Sequence, residues 1–176
     1  MAKRGYTRDT IRGGASDWDV SRPFSSYVRL LPTLLVHPVR FFELLPKVPD
    51  VRAPGLFLAF SGFPAAVVWF FLAGLYPALA VLILPLPLSV PLAGLYHVGA
   101  LGGRYGFGVT WRTLAYPLGF VLPLAAVPFL RWAALAWAAA LLVPLGIVKA
   151  QEVQAWRGIL LGLVAVALIV MTAFVV

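Results

Sequence analysis

Charged residues stop at Arg52 and do not return until Arg104, leaving 51 consecutive positions without Asp, Glu, Lys or Arg. Three more uncharged windows follow: Thr113–Leu130 with 18 residues, Trp132–Val148 with 17 and Gly158–Val176 with 19. A membrane-spanning helix needs about 20 apolar residues. The first run therefore holds two spans, roughly Pro54–Tyr76 and Ala78–Gly103. Each later window holds one, with Arg112, Arg131, Lys149 and Arg157 at the margins able to snorkel to an interface. The pattern predicts an all-α integral membrane protein. Five transmembrane helices over 53–176 follow a short amphipathic interfacial segment over 27–52 and a flexible cytoplasmic tail over 1–26.

Prolines divide these windows. Pro85, Pro87 and Pro91 fall in the second span, Pro117, Pro123 and Pro128 in the third, and Pro144 in the fourth. Each removes a backbone donor and crowds the preceding turn, so the second span is expected to be kinked or partly unwound. Arg131 is the only polar hinge between the third and fourth spans, which predicts a tight hairpin there. Ahead of the first span, "YVRLLPTLLVHPVRFFELLP" is broken by Pro32, Pro38 and Pro46 and is too interrupted to cross. A helix starting at Pro38 puts Arg40, Glu43 and Lys47 on one stripe opposite Val39, Phe41, Phe42 and Leu45. That is an amphipathic helix suited to the interface plane.

Composition agrees and adds direction. The chain is 62% hydrophobic and 11% charged, against about 25% charged in a soluble domain. A soluble globular domain is excluded. Nine of the 14 Lys and Arg residues precede Ala53, and alternating loops divide the total as 13 on one side and 1, Arg131, on the other. The positive-inside rule then predicts a cytoplasmic N-terminus and an outside C-terminus in a multi-pass cell (inner) membrane protein. No apolar core directly follows the basic N-terminal residues, so the first spans are expected to direct insertion. The net charge of +8 suits anionic head groups. No basic module with stacking or groove-entering elements accompanies it, so nucleic acid is not an expected partner. Trp132, Trp137 and Trp156 fall where interfacial belts are expected. Cysteine is absent, which removes disulfide and thiolate chemistry.

Candidate chemistry concentrates in "LYHVGALGGRYGFG", Leu95 to Gly108. With the second span running inward, His97 lies about 9 Å inside its cytoplasmic end at the helical rise. Arg104 shares its face. Gly99 and Gly103 have the GxxxG spacing, and with Gly102 they predict a small-residue face for close helix packing. Tyr116 enters the third span from the same side. Glu43, Glu152 and His37 are placed to approach it. The expectation is a small polar vestibule of His97, Arg104 and Tyr116, partnered by those three. It would hold a lipid head group or a small anion. The competing reading is structural: His97 bonds a backbone carbonyl or a tyrosine hydroxyl, and Arg104 pins the interface. Two histidines without cysteine make at best half a zinc site. No nucleophile motif is present, so no catalytic residue, metal or cofactor is expected.

Two segments resemble the Yip domain family, whose eukaryotic members were named for interaction with Ypt/Rab GTPases. "HPVRFFELLP" (His37–Pro46) looks like that family's Pro-x-x-Phe-Phe entry before the first span. "HVGALGGRYGFGVTWRTLAYPLGFVLP" (His97–Pro123) resembles its histidine in span two, the closing Gly-Gly, a loop ending in an aromatic and a threonine, and Ala-Tyr opening span three. These are His97, Gly102–Gly103, Phe107, Thr110 and Ala115–Tyr116. The resemblance implies five spans, a cytosolic N-terminus and a non-catalytic protein that organises membrane or binds lipid and protein partners, including further copies of itself. A small oligomeric transporter or lipid-translocating protein is the alternative that the proline-broken helices suggest.

Overall fold

The structure, a computed structural model, describes residues 18–47, 51–101 and 103–175. All regular structure among them is helical. Helix α1 spans Pro23–Val36 and α2 spans Pro38–Glu43, each opened by a proline at its first position. There the missing N–H costs no bond. The break at His37 follows from Pro38, which disfavours helical geometry in the residue before it. Helix α1 starts inside the stretch expected to be tail, and Trp18, ahead of it, is buried. The reason is a stripe of Ser26, Leu30 and Leu34, four residues apart, that faces the bundle. Residues 1–17 lie outside the described set.

Helix α3 spans Arg52–Ala73 and ends at Gly74, whose φ of 88° favours glycine. Helices α4 (Leu75–Ile83) and α5 (Pro85–Gly99) follow, bent by 43° where Pro85 interrupts the ladder. Helix α6 spans Phe107–Ala125. Helices α7 (Pro128–Ala136) and α8 (Val143–Gln151) are joined without a break by a π-helical turn, Trp137–Leu142. Helix α9 spans Ala155–Val175.

Helix runs through all four uncharged windows, but the five expected spans are not all long and apolar enough to cross. Two stretches, Arg52–Ala73 and Leu130–Gln151, are long and apolar enough to cross a membrane, and the bent α4–α5 pair makes a third if it counts as one span. Helix α6 is less apolar because it is the centre of the bundle. Every residue from Val109 to Pro117 is buried, against α3, α5, α7 and α8. One core joins Leu30, Leu34, Phe41, Phe57 and Tyr116; the other joins Leu58, Ala93, Tyr96, Trp111 and Ile147. The outside is apolar in turn. Phe71 is 80% exposed, Leu95 67% and Met171 65%. Such a surface fits acyl chains rather than water, and with the apolar helices it fits a membrane protein.

Pro144 supplies no N–H to the turn before it, and one carbonyl of that turn finds another donor. The Tyr96 hydroxyl donates to the carbonyl of Ala139 at 3.2 Å. The Ala140 carbonyl lies only 2.6 Å from where a Cβ on Gly162 would sit, so only glycine lets α9 approach it. Broken helix in a bilayer is tolerated where neighbours re-satisfy the backbone in this way.

Candidate functional site

One end of the bundle gathers the C-termini of α5 and α8, the N-termini of α6 and α9, and α2. Gln151, the last residue of α8, is fully buried and organises this end. Its amide nitrogen donates to the Thr110 hydroxyl at 2.8 Å and to the Gly106 carbonyl at 3.3 Å. Its amide oxygen accepts from the Tyr105 backbone at 2.9 Å, and its backbone carbonyl accepts from the Arg104 backbone at 3.0 Å. One side chain thereby pins the loop between α5 and α6 to the end of α8.

His97 joins the same unit. Its Nδ1 lies 2.8 Å from Oγ1 of fully buried Thr110. Thr110 already accepts from Gln151, so its own proton is available for Nδ1. A hydroxyl has a second acceptor lone pair as well, so the contact suits either ring tautomer. The Phe107 ring packs edge-on to the imidazole at 5.7 Å.

Charged side chains surround this hydrogen-bonded centre. Arg104 Nη1 donates to Glu152 Oε2 at 2.9 Å, and the Tyr105 hydroxyl donates to Oε1 at 3.2 Å. The Arg104 hydrogen bond, together with the charges of Arg104 and Lys47, holds the Glu152 carboxyl below its usual value. Lys149 pairs with Glu43 at 2.9 Å. The Lys47 ammonium faces three carbonyls, Ala150 at 3.2 Å, Lys149 at 3.4 Å and Phe42 at 3.5 Å. It caps the negative end of α8. Burial pulls its pKa down, against the charges of Glu152 and Glu43, which raise it. The expected stripe of Arg40, Glu43 and Lys47 is therefore divided: α2 stops at Glu43, and Lys47 turns under α8 instead.

The other anticipated residues lie elsewhere. Tyr116 sits in the aromatic core, 5.0 Å from Phe57 and 5.4 Å from Phe41 by ring centres, and its hydroxyl accepts from the Trp18 backbone at 3.2 Å. It sits about two and a half turns into α6, too deep for the polar end. His37 is exposed at the α1–α2 joint and lines a depression of about 570 Å³ with Arg40 and Glu43. The glycines also separate. Helix α5 ends at Gly99, so Gly103 lies beyond it and the two do not share a helix face. Gly99 meets Leu161 of α9, whereas Gly103 meets Gln151. Gly102 lies outside the described residues.

Arg112 differs most from expectation. Instead of snorkelling at an interface it is 1% exposed, with Nη1 donating to the Pro46 carbonyl at 3.1 Å. Helix α6 begins at Phe107, six residues before the uncharged window opens, which carries Arg112 into the buried stretch of that helix. Thr110, Gln151 and Trp111 were likewise not singled out for these contacts. The Trp111 indole donates to Ser89 Oγ at 2.8 Å, which donates in turn to the Leu86 carbonyl at 2.6 Å. The available signal was the scarcity of neutral polar side chains near the span ends.

Deeper in the bundle, behind the Gly99–Leu161 contact, lies a half-open cleft of about 190 Å³. Leu92, Tyr96, Leu118, Leu135, Ala139 and Ile169 are among the residues lining it, so its walls are almost wholly apolar. Comparison with protein-family models, with curated proteins and with solved structures finds no match to this chain.

Proposed function

We propose that this chain is a non-catalytic, five-span protein of the Yip type in a cell inner membrane, N-terminus inside, that organises membrane by binding lipids and protein partners. The observation that carries this reading is the apolar cleft bounded by Leu92, Tyr96, Leu118 and Ile169. A cleft of that character suits an acyl chain and offers a polar solute nothing to bind. The polar side chains that could have lined a solute path, His97, Thr110 and Gln151, bond instead to one another at one end. The His97–Pro123 and His37–Pro46 motifs support the family assignment.

Native mass spectrometry of the detergent-purified chain tests this reading. Co-purifying phospholipid and stepwise rebinding after delipidation are expected. A fully delipidated, folded chain that rebinds no phospholipid overturns it.

A second reading, a small transporter or lipid-translocating protein, draws on the 43° bend between α4 and α5 and on the π turn in the third uncharged window. Breaks of this kind are where transporters rearrange. Proteoliposomes in which labelled lipid or solute crosses faster than in protein-free vesicles would favour it.

A further inference from the structure

A second depression, of about 260 Å³, opens on the outer side of the α5–α9 contact at the polar end. Its floor is Gly99 against Leu161, and its apolar flank is Val98 and Leu160, which are 64% and 52% exposed. Its rim is Trp156 and Arg157. The Trp156 ring is 56% exposed, with the Arg157 guanidinium 5.5 Å from its centre.

Arg157 differs from Arg104 and Lys149, the two ion-paired cations at this end. Arg104 and Lys149 each hold a glutamate. Among the described residues no carboxylate pairs with Arg157; its hydrogen bond runs from Nη1 to the Leu101 carbonyl. A guanidinium has five N–H donors and Arg157 lines the notch, so donors beyond the one given to Leu101 remain for a ligand there. Helix α9 begins at Ala155, which adds the positive end of its dipole to the same rim.

We propose that this notch is a binding site for one anionic phospholipid. Its phosphate sits on the free donors of Arg157, the Trp156 ring lies at the glycerol level, and an acyl chain runs over Val98, Gly99 and Leu160. Charge complementarity selects the lipid class. An unneutralised cation stands at the mouth of an apolar groove, in a chain whose net charge is +8. The site rests on the lipid-binding reading given above and names its ligand class and place.

The test uses the full-length, delipidated chain in detergent, titrated with phosphatidylglycerol or phosphatidylcholine and read by native mass spectrometry. Phosphatidylglycerol is expected to bind more tightly than phosphatidylcholine. Arg157→Gln is expected to weaken phosphatidylglycerol roughly fivefold and leave phosphatidylcholine nearly unchanged, as follows from about 1 kcal/mol per basic residue near anionic lipid. Val98→Trp, which fills the notch from its exposed flank, is expected to weaken both lipids. A bare phosphate site would be indifferent to that change, so retained binding in Val98→Trp overturns the proposal. So does equal binding of phosphatidylglycerol by Arg157→Gln and the parent chain. If Arg157→Gln does not fold, because the Leu101 carbonyl loses its donor, Val98→Trp decides alone. A parent chain that binds no lipid sinks the broader reading as well, whereas lipid binding untouched by either variant sinks the notch only.

Discussion

His97 and Thr110 join the ends of two helices through a single contact, Nδ1 to Oγ1 at 2.8 Å. Because Thr110 also receives the Gln151 amide at 2.8 Å, one hydroxyl ties α5, α6 and α8 together. Thr110→Val keeps the shape and deletes the hydroxyl, leaving a buried amide and an imidazole nitrogen short of a partner. Unsatisfied buried groups cost about 1–3 kcal/mol. A thermal-unfolding midpoint in detergent lower by several degrees is expected, and an unchanged midpoint would remove this network from the stability argument.

The Arg104–Glu152 pair gives a pH dependence whose sign is fixed. Arg104 holds the folded-state carboxyl below the ordinary value of 4.5. A carboxyl whose folded value is depressed contributes stability that is fully present above its unfolded value and is lost as pH falls through the folded one. Unfolding midpoints should therefore drop as pH is lowered below about 4.5, and the drop should be smaller in Glu152→Gln. Both residues are about half exposed, so the effect is small and screened by salt.

Gly146 tests the packing of α8 against the polar end. A Cβ there would lie 2.4 Å from Thr113 Cγ2 and 2.7 Å from the Phe42 ring. Overpacking of this kind costs about 1–3 kcal/mol. Gly146→Val should lower the unfolding midpoint, while Gly94→Val, where nothing lies within 4 Å of the added Cβ, should be far milder.

Arg112 holds the α2–α3 connection through the Pro46 carbonyl. Arg112→Met keeps most of the apolar stem and removes the donor. Hydrogen bonds involving a charged group contribute about 1.5–3 kcal/mol. Limited proteolysis between Pro46 and Arg52 should become faster in the variant, and an unchanged cleavage rate would argue against this tether.

Topology is open to a direct measurement because the chain has no cysteine. Single cysteines replacing Ser21 and Gln154 should react with an impermeant thiol reagent from the same side of the membrane. A cysteine replacing Tyr76, which is 86% exposed, should react from the opposite side. Labelling of all three from one side would remove the five-span topology.

The sequence by itself determined that this chain is helical and suited to a membrane, because the uncharged windows exceed anything a soluble core accommodates. It also located the breaks, since proline removes the same N–H in any context: Pro38 parts α1 from α2, and Pro85 parts α4 from α5. It identified the Arg104–Glu152 end of the molecule as polar. Only the tertiary structure decided what the polar residues do there. Which face of a helix meets a neighbour depends on several helices at once, and hydropathy treats each window alone. That is why Arg112, read as an interfacial anchor, lies buried against the Pro46 carbonyl, and why Tyr116 belongs to the aromatic core instead of the polar end. The role of Gln151 was hidden for the same reason. Its partners Gly106, Tyr105 and Thr110 lie 41 to 46 positions away, and no local pattern encodes a contact that closes only when α6 and α8 pack side by side.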